Sequence, residues 1–111
     1  MKSRLSDVIF WLMPMTKIID DCHTLPNRRG NGQLRREVWV DDATGRITKY
    51  NLAYINHNLF GLDNGRVVGY DNAHGYHHRH FKGTVDPIDF VSFEDIEERF
   101  QRDWIALREE A

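Results

Sequence analysis

Between Tyr70 and Gly83 the chain reads Tyr-Asp-Asn-Ala-His-Gly-Tyr-His-His-Arg-His-Phe-Lys-Gly. Four of its six histidines, His74, His77, His78 and His80, fall in this stretch beside Asp71, Arg79 and Lys82. Imidazole is the side chain that changes charge near neutral pH, so histidines clustered with a carboxylate and cations have the groups for proton transfer and phosphate binding. The apolar run Arg66 to Tyr70, the small polar residues Asn72 to Gly75 and the ring-rich residues after them predict a β-hairpin with Tyr76 to Lys82 as its second arm. Side chains alternate along a strand. His78, His80 and Lys82 are therefore expected on one face with Tyr76, and His77, Arg79 and Phe81 on the other. Two imidazoles at i and i+2 stand about 7 Å apart at Cα, close enough to act on one substrate or one metal. Repulsion between their charged forms lowers at least one pKa.

Three chemistries fit this composition. Cleavage of RNA through its 2′-OH needs a general base, a general acid and cations for the phosphorane, types that His78, His80, Arg79 and Lys82 supply within five residues. On a regular strand, however, Arg79 points away from His78 and His80. A nucleic-acid-binding or partner-binding sheet without turnover needs only the basic and aromatic side chains. A metal site needs the His78 and His80 pair completed by Asp71, His57 or His74. The expectation is acid–base chemistry without metal or other cofactor.

A second basic cluster lies upstream, where Pro26 to Gln33 is a loop by its turn residues and, with Arg35 and Arg36 after it, carries Arg28 and Arg29. With Lys82, these arginines are the candidate nucleic-acid contacts. The formal net charge of −2 hides an asymmetry: residues 1 to 85 hold 12 Lys/Arg and 8 Asp/Glu, net +4, and residues 86 to 111 hold 3 and 9, net −6. A basic sheet beside an acidic helix suits a protein that holds an anion on one side. An acidic, solvated helix face accounts for the same numbers.

The elements that must position these groups are legible in part. At 111 residues, 41% hydrophobic and 29% charged, the chain is expected to form a single domain, 1–111, with an ordinary core and no need of a disulfide. The lone Cys22 fits a reducing cytoplasm. Val8 to Met15 is apolar but has no small-residue cleavage site and is too short to cross a bilayer, so export and membrane insertion are not expected. A packed strand or short helix is expected there. Residues 1–33 are read as a variable N-terminal segment with its Arg-rich loop, in which 16 to 24 fits strand or helix. Residues 34–85 are read as antiparallel sheet. Leu34 to Asp41 alternates with Val38 and Val40 on one face, and Arg46 to Ile55 with Tyr50, Leu52 and Tyr54 on one face. Leu59 to Leu62 is expected to form a short strand, with Asn64-Gly65 as a type I′ hairpin turn returning Arg66 to Tyr70 beside it. Asp86-Pro87 is expected to end regular pairing. Ser92 to Glu110 is read as a helix, N-capped by Ser92, with Phe93, Ile96, Phe100, Trp104 and Leu107 as its apolar stripe and Asp95–Arg99 as an i,i+4 pair. The resulting fold class is α+β: a meandering antiparallel sheet of five or six strands packed against a C-terminal α-helix.

The Tyr-rich strand, Tyr70-Asp71-Asn72, the His74-Gly75 turn, His77-His78-Arg79-His80 and the Phe-Ser-Phe-rich start of the helix resemble the TumE family over about residues 34 to 104. Members are known chiefly as toxin components of prokaryotic toxin–antitoxin pairs. Residues 1 to 33 depart from the family pattern. The resemblance implies a small cytoplasmic toxin of the type II kind, a helix-turn-helix antitoxin encoded nearby as its partner, and a monomer or homodimer. It implies Asp71, His77, His78, Arg79 and His80 as the functional surface. On this reading the protein is a toxin that cleaves or binds RNA.

Overall fold

The structure, a computed structural model, describes residues 14–26 and 32–110. Arg28, Arg29 and the segment before Pro14 lie outside the described residues. Six strands form one sheet in chain order: β1 (Met15–Thr24), β2 (Gln33–Asp41), β3 (Ile47–Ile55), β4 (Arg66–Asp71), β5 (His78–Phe81) and β6 (Thr84–Pro87). Every neighbouring pair is antiparallel. One helix, α1 (Phe93–Arg108), follows the sheet. The stretch that fits strand or helix by pattern is thus a strand, and Asp86-Pro87 extends pairing, with Pro87 opposite His78.

Alternation places the core. Tyr50, Leu52 and Tyr54 of β3 lie opposite Val38, Arg36 and Leu34 of β2, and Leu52 and Tyr54 lie opposite Tyr70 and Val68 of β4. This face meets α1, whose Ile96, Phe100 and Leu107 are buried, with Phe93 and Trp104 packed at the margin. Edge-on ring pairs join helix to sheet: Phe100 with Tyr70 at 6.4 Å and Phe93 with Tyr50 at 5.5 Å between centroids. Burying each such side chain stabilises the fold by about 1.5–3 kcal/mol, which makes the apolar stripe the main hold on the helix. Ser92 caps it, its Oγ accepting from the Asp95 N–H at 3.0 Å, and Asp95 pairs with Arg99 at 2.9 Å.

Two local expectations are corrected. Leu59 to Leu62 is not a strand: the Leu59 and Phe60 N–H groups both donate to the Asn56 carbonyl at 3.1 Å, forming a turn. Asn64 and Gly65 do take positive φ, 54° and 82°, but they close that loop and deliver β4 to β3. Lys82 does not continue β5 either. With φ 46° it forms, with Gly83 at 87°, the positive-φ pair of a tight turn into β6.

Candidate functional site

Gly69 and Asp71 of β4 stand opposite His80 and His78 of β5. All four face away from α1, because their neighbours Tyr70 and Arg79 point toward it. Asn51 of β3 lies opposite Asp71, and Glu37 of β2 opposite Asn51. A row of polar side chains therefore crosses the sheet on the face that α1 leaves open. No helix or strand among the described residues packs over it.

At the centre of the row the Asp71 carboxylate sits between two imidazoles. His78 Nε2 is 2.7 Å from Oδ1 and His80 Nε2 is 3.0 Å from Oδ2. The Ala73 N–H donates to Oδ1 at 3.0 Å, and Arg66 Nη1 lies 3.7 Å from Oδ2. Four donors thus converge on two oxygens, the complement of a carboxylate. The imidazole rings meet edge to face, with centroids 4.8 Å apart. Nδ1 of His78 faces the Tyr76 carbonyl at 3.1 Å, so both ring nitrogens of His78 point at acceptors and both are satisfied together only in the imidazolium form. His80 has one carboxylate neighbour. With its Nε2–H donated to Asp71, its Nδ1 carries the lone pair, as a general base requires. Burial lowers the pKa of His80, and the Arg66 and His78 charges lower it further against the opposing pull of Asp71. Its side chain is 13% exposed against 5% for His78.

Arg66 reaches Asp71 because of Gly69. A Cβ on residue 69 would stand 2.8 Å from the Leu52 carbonyl oxygen and 2.9 Å from Arg66 Cδ, so the bare glycine is the floor on which the arginine lies. Arg66 is also held by Asp63, Nε to Oδ2, at 2.8 Å. A concavity of about 310 Å³ opens beside it, lined by Arg35, Glu37, Asn51, Ala53, Asp63 and Arg66 among others. Its far wall is a second network, in which Glu37 accepts from Asn51 at 2.9 Å, Lys17 at 2.7 Å and Arg35 at 3.1 Å. Burial opposes ionisation of Glu37, but Lys17, Asn51 and Arg35 outweigh it and hold the carboxyl below the usual range.

Of the residues singled out by sequence, Asp71, His78 and His80 come together. Each offers one metal-ligating atom, and the three atoms lie within 4.8 Å of one another. His57 and His74 are exposed and outside this group. Arg79 and His77 lie on the helix side. Arg79 donates to Asp103 of α1 at 3.1 Å, on the same oxygen that accepts from the Tyr70 hydroxyl at 2.6 Å. Burial and this aspartate push Tyr70 up to about 12. His77 is stacked between Phe90 and Tyr50, whose hydroxyl meets Nδ1 at 2.8 Å. Arg35 is on the open face, paired to Asp20 and Glu37. Arg36 is on the opposite face, paired to Glu97 of α1 and to Asp21. Part of the basic sheet thus neutralises the acidic helix inside the fold. Lys82 sits at the β5–β6 turn over the Phe81 ring. Arg66, Gly69, Glu37 and Asn51 were not anticipated.

Residues 33–110 match the family described as Toxin TumE. The chain belongs to the TumE family. The matched stretch starts at the first residue of β2 and runs past the end of α1, so it contains the Asp71 cluster, Arg66, Gly69 and the Glu37–Asn51 pair, while β1 with Lys17 and Asp20 lies before it. TumE membership gives the chain a toxin role. No curated protein and no solved structure matches it. No helix among the described residues is long and apolar enough to cross a membrane.

Proposed function

We propose that this TumE-family chain is the cytoplasmic toxin of a type II toxin–antitoxin pair and that it cleaves RNA through the Asp71, His78 and His80 cluster without a metal ion. The observation that carries the reading is one carboxylate holding two imidazoles, one on each oxygen, on the sheet face away from α1. His80 Nδ1 takes the proton of a ribose 2′-OH, and the 2′ oxygen bonds to the adjacent phosphorus. The bond from phosphorus to the 5′ oxygen breaks, and that oxygen takes up the Nδ1 proton of the His78 imidazolium, whose Nε2–H stays on Asp71. Substrate first displaces the Tyr76 carbonyl from Nδ1 and the exposed Tyr76 ring, 4.6 Å away, from the imidazole. Arg66, at the edge of the concavity, neutralises the phosphorane. It takes the role that residue types had suggested for Arg79. The partner is a helix-turn-helix antitoxin encoded nearby, and co-purification with the neighbouring gene product tests it.

The deciding experiment incubates purified protein with RNA in EDTA from pH 5 to 9, beside the His80→Ala variant. Cleavage by the parent alone is the expected result. Activity that chelator removes and zinc or manganese restores assigns the same three side chains to a metal instead. RNA binding without products at any pH, in chelator or metal, leaves a binding module.

A further inference from the structure

Every tyrosine and phenylalanine of the sheet strands packs toward the helix side: Tyr50, Tyr54 and Tyr70 are buried in the core and Phe81 is packed against it. Trp39 of β2 does not join them. It lies opposite Lys17 on one side and Lys49 on the other, and the two ammonium groups stand 5.0 and 4.5 Å from its ring centroid. Trp39 shares its face with Glu37, two residues away, and therefore with Asn51, Asp71, His78 and His80. Two strand spacings and two residues along a strand separate Trp39 from Asp71, on the order of 12 Å. A half-buried indole outside the core and bracketed by two ammonium groups needs a reason, since a ring this large normally finds the interior.

We propose that Trp39 with Lys17 and Lys49 is a stacking subsite for one base of a single-stranded nucleic acid laid across the open face. Every base offers a flat π surface to an indole, and each base is flanked by phosphates that ammonium groups neutralise. A cation over a ring at an exposed site is held more weakly than a stacked base, so an arriving base displaces an ammonium from the ring toward the adjoining phosphate. Lys17 is held by Glu37 at 2.7 Å and Asp20 at 3.3 Å. A duplex presents no unstacked base and does not fit. The proposal rests on the ribonuclease reading only for the direction in which the strand continues, through the concavity beside Arg66 toward His80.

The test uses full-length protein carrying His80→Ala, so that binding is read without turnover, with a twelve-nucleotide oligouridylate, an oligothymidylate of the same length and an RNA duplex as probes. Anisotropy and tryptophan fluorescence are followed at two salt concentrations. Single strands are expected to quench the fluorescence, RNA and DNA alike, because the ring reads the base and not the 2′-hydroxyl. Trp39→Ala is expected to abolish most of the quench and weaken single-strand binding about 5- to 100-fold. Trp39→Phe, which keeps a ring, is expected to retain affinity within a few-fold and so reports on stacking apart from folding. Lys17→Ala and Lys49→Ala should each flatten the salt dependence by about 0.7 in log–log slope. Single-strand affinity unchanged in Trp39→Ala, or duplex bound more tightly than single strands, overturns the subsite. Because binding is measured apart from cleavage, absence of nuclease activity in the parent counts against the mechanism and leaves the subsite to stand or fall on these titrations.

Discussion

His78 Nε2 and Asp71 Oδ1 face each other at 2.7 Å while the other nitrogen of the same ring faces the Tyr76 carbonyl. Both nitrogens of His78 thus face acceptors, and the base proposed is its companion His80, whose pKa burial and the Arg66 charge lower. Replacing either histidine by alanine should lower RNA cleavage by about 10²–10⁴-fold, the usual contribution of one positioned acid or base. RNA affinity should stay within a few-fold. The acid limb of the pH–rate profile should have its midpoint below 6.5, since burial and Arg66 lower His80. A midpoint at or above 6.5, or an active His80→Ala protein, would remove His80 as the base.

Gly69→Ala should act on stability and cleavage together. The added methyl meets the Leu52 carbonyl at 2.8 Å and the Arg66 stem at 2.9 Å, an overpacking that costs about 1–3 kcal/mol, and it pushes the guanidinium off Asp71. Arg66→Ala removes the cation without the clash. It should leave urea denaturation nearly unchanged and lower cleavage by about 10²–10³-fold, as for other charge-stabilising donors. If Arg66→Ala cleaves at the parental rate, Arg66 is only a surface ion-pair partner of Asp63.

Much of this arrangement could be read from alternation alone. Period two separates His78 and His80 from His77 and Arg79, and period 3.6 marks Ile96, Phe100 and Leu107 as the buried stripe. What escaped are relations between strands. The pairing shifts between Tyr54 and Ile55, opposite Val68 and Arg66, so Val67 is an extra residue and Arg66 shares a face with Gly69, three positions away, against strict alternation. Asp71 is one of three residues that could complete the histidine pair, and it is the one that does because the loop between β4 and β5 brings it opposite His78, a register that the residues of the loop do not announce. The Asn64-Gly65 signal was real as backbone geometry but misleading as topology. Asn56 closes the loop, its N–H donating to the Gly65 carbonyl at 2.8 Å, so the strand that β4 meets is β3.

Arg79 and Asp103 give a prediction of the opposite kind. The aspartate accepts from both Arg79 and Tyr70 and so fastens α1 to the sheet. Asp103→Ala should destabilise the protein by about 1.5–3 kcal/mol, the range for hydrogen bonds to a charged group. Arg79→Ala should lower the denaturation midpoint in the same direction and leave cleavage of the folded protein within a few-fold of parent. Loss of cleavage in folded Arg79→Ala protein would return Arg79 to the catalytic group.

His77 ties the segment before α1 to the sheet in a way that pH can release. Its ring lies 4.0 Å from Phe90 and accepts the Tyr50 hydroxyl at Nδ1. Burial raises that tyrosine far above its ordinary range, so the hydroxyl keeps its proton throughout. Burial, with the charge of the neighbouring His78, lowers the pKa of His77 in the folded state below the 6.5 of an unfolded chain. The sign follows from linkage: between the folded pKa and 6.5 the unfolded chain binds the extra proton, so stability rises with pH through that window. The contribution is complete above 6.5 and is lost as the pH falls toward the folded value. Melting temperatures should therefore drop from pH 7.5 to pH 5.5, His80 adding to the slope in the same direction. His77→Phe keeps the stack with Phe90 and removes the titration, and should melt with a shallower dependence on pH. An equal slope in that variant would show that His77 is not a source of the acid sensitivity.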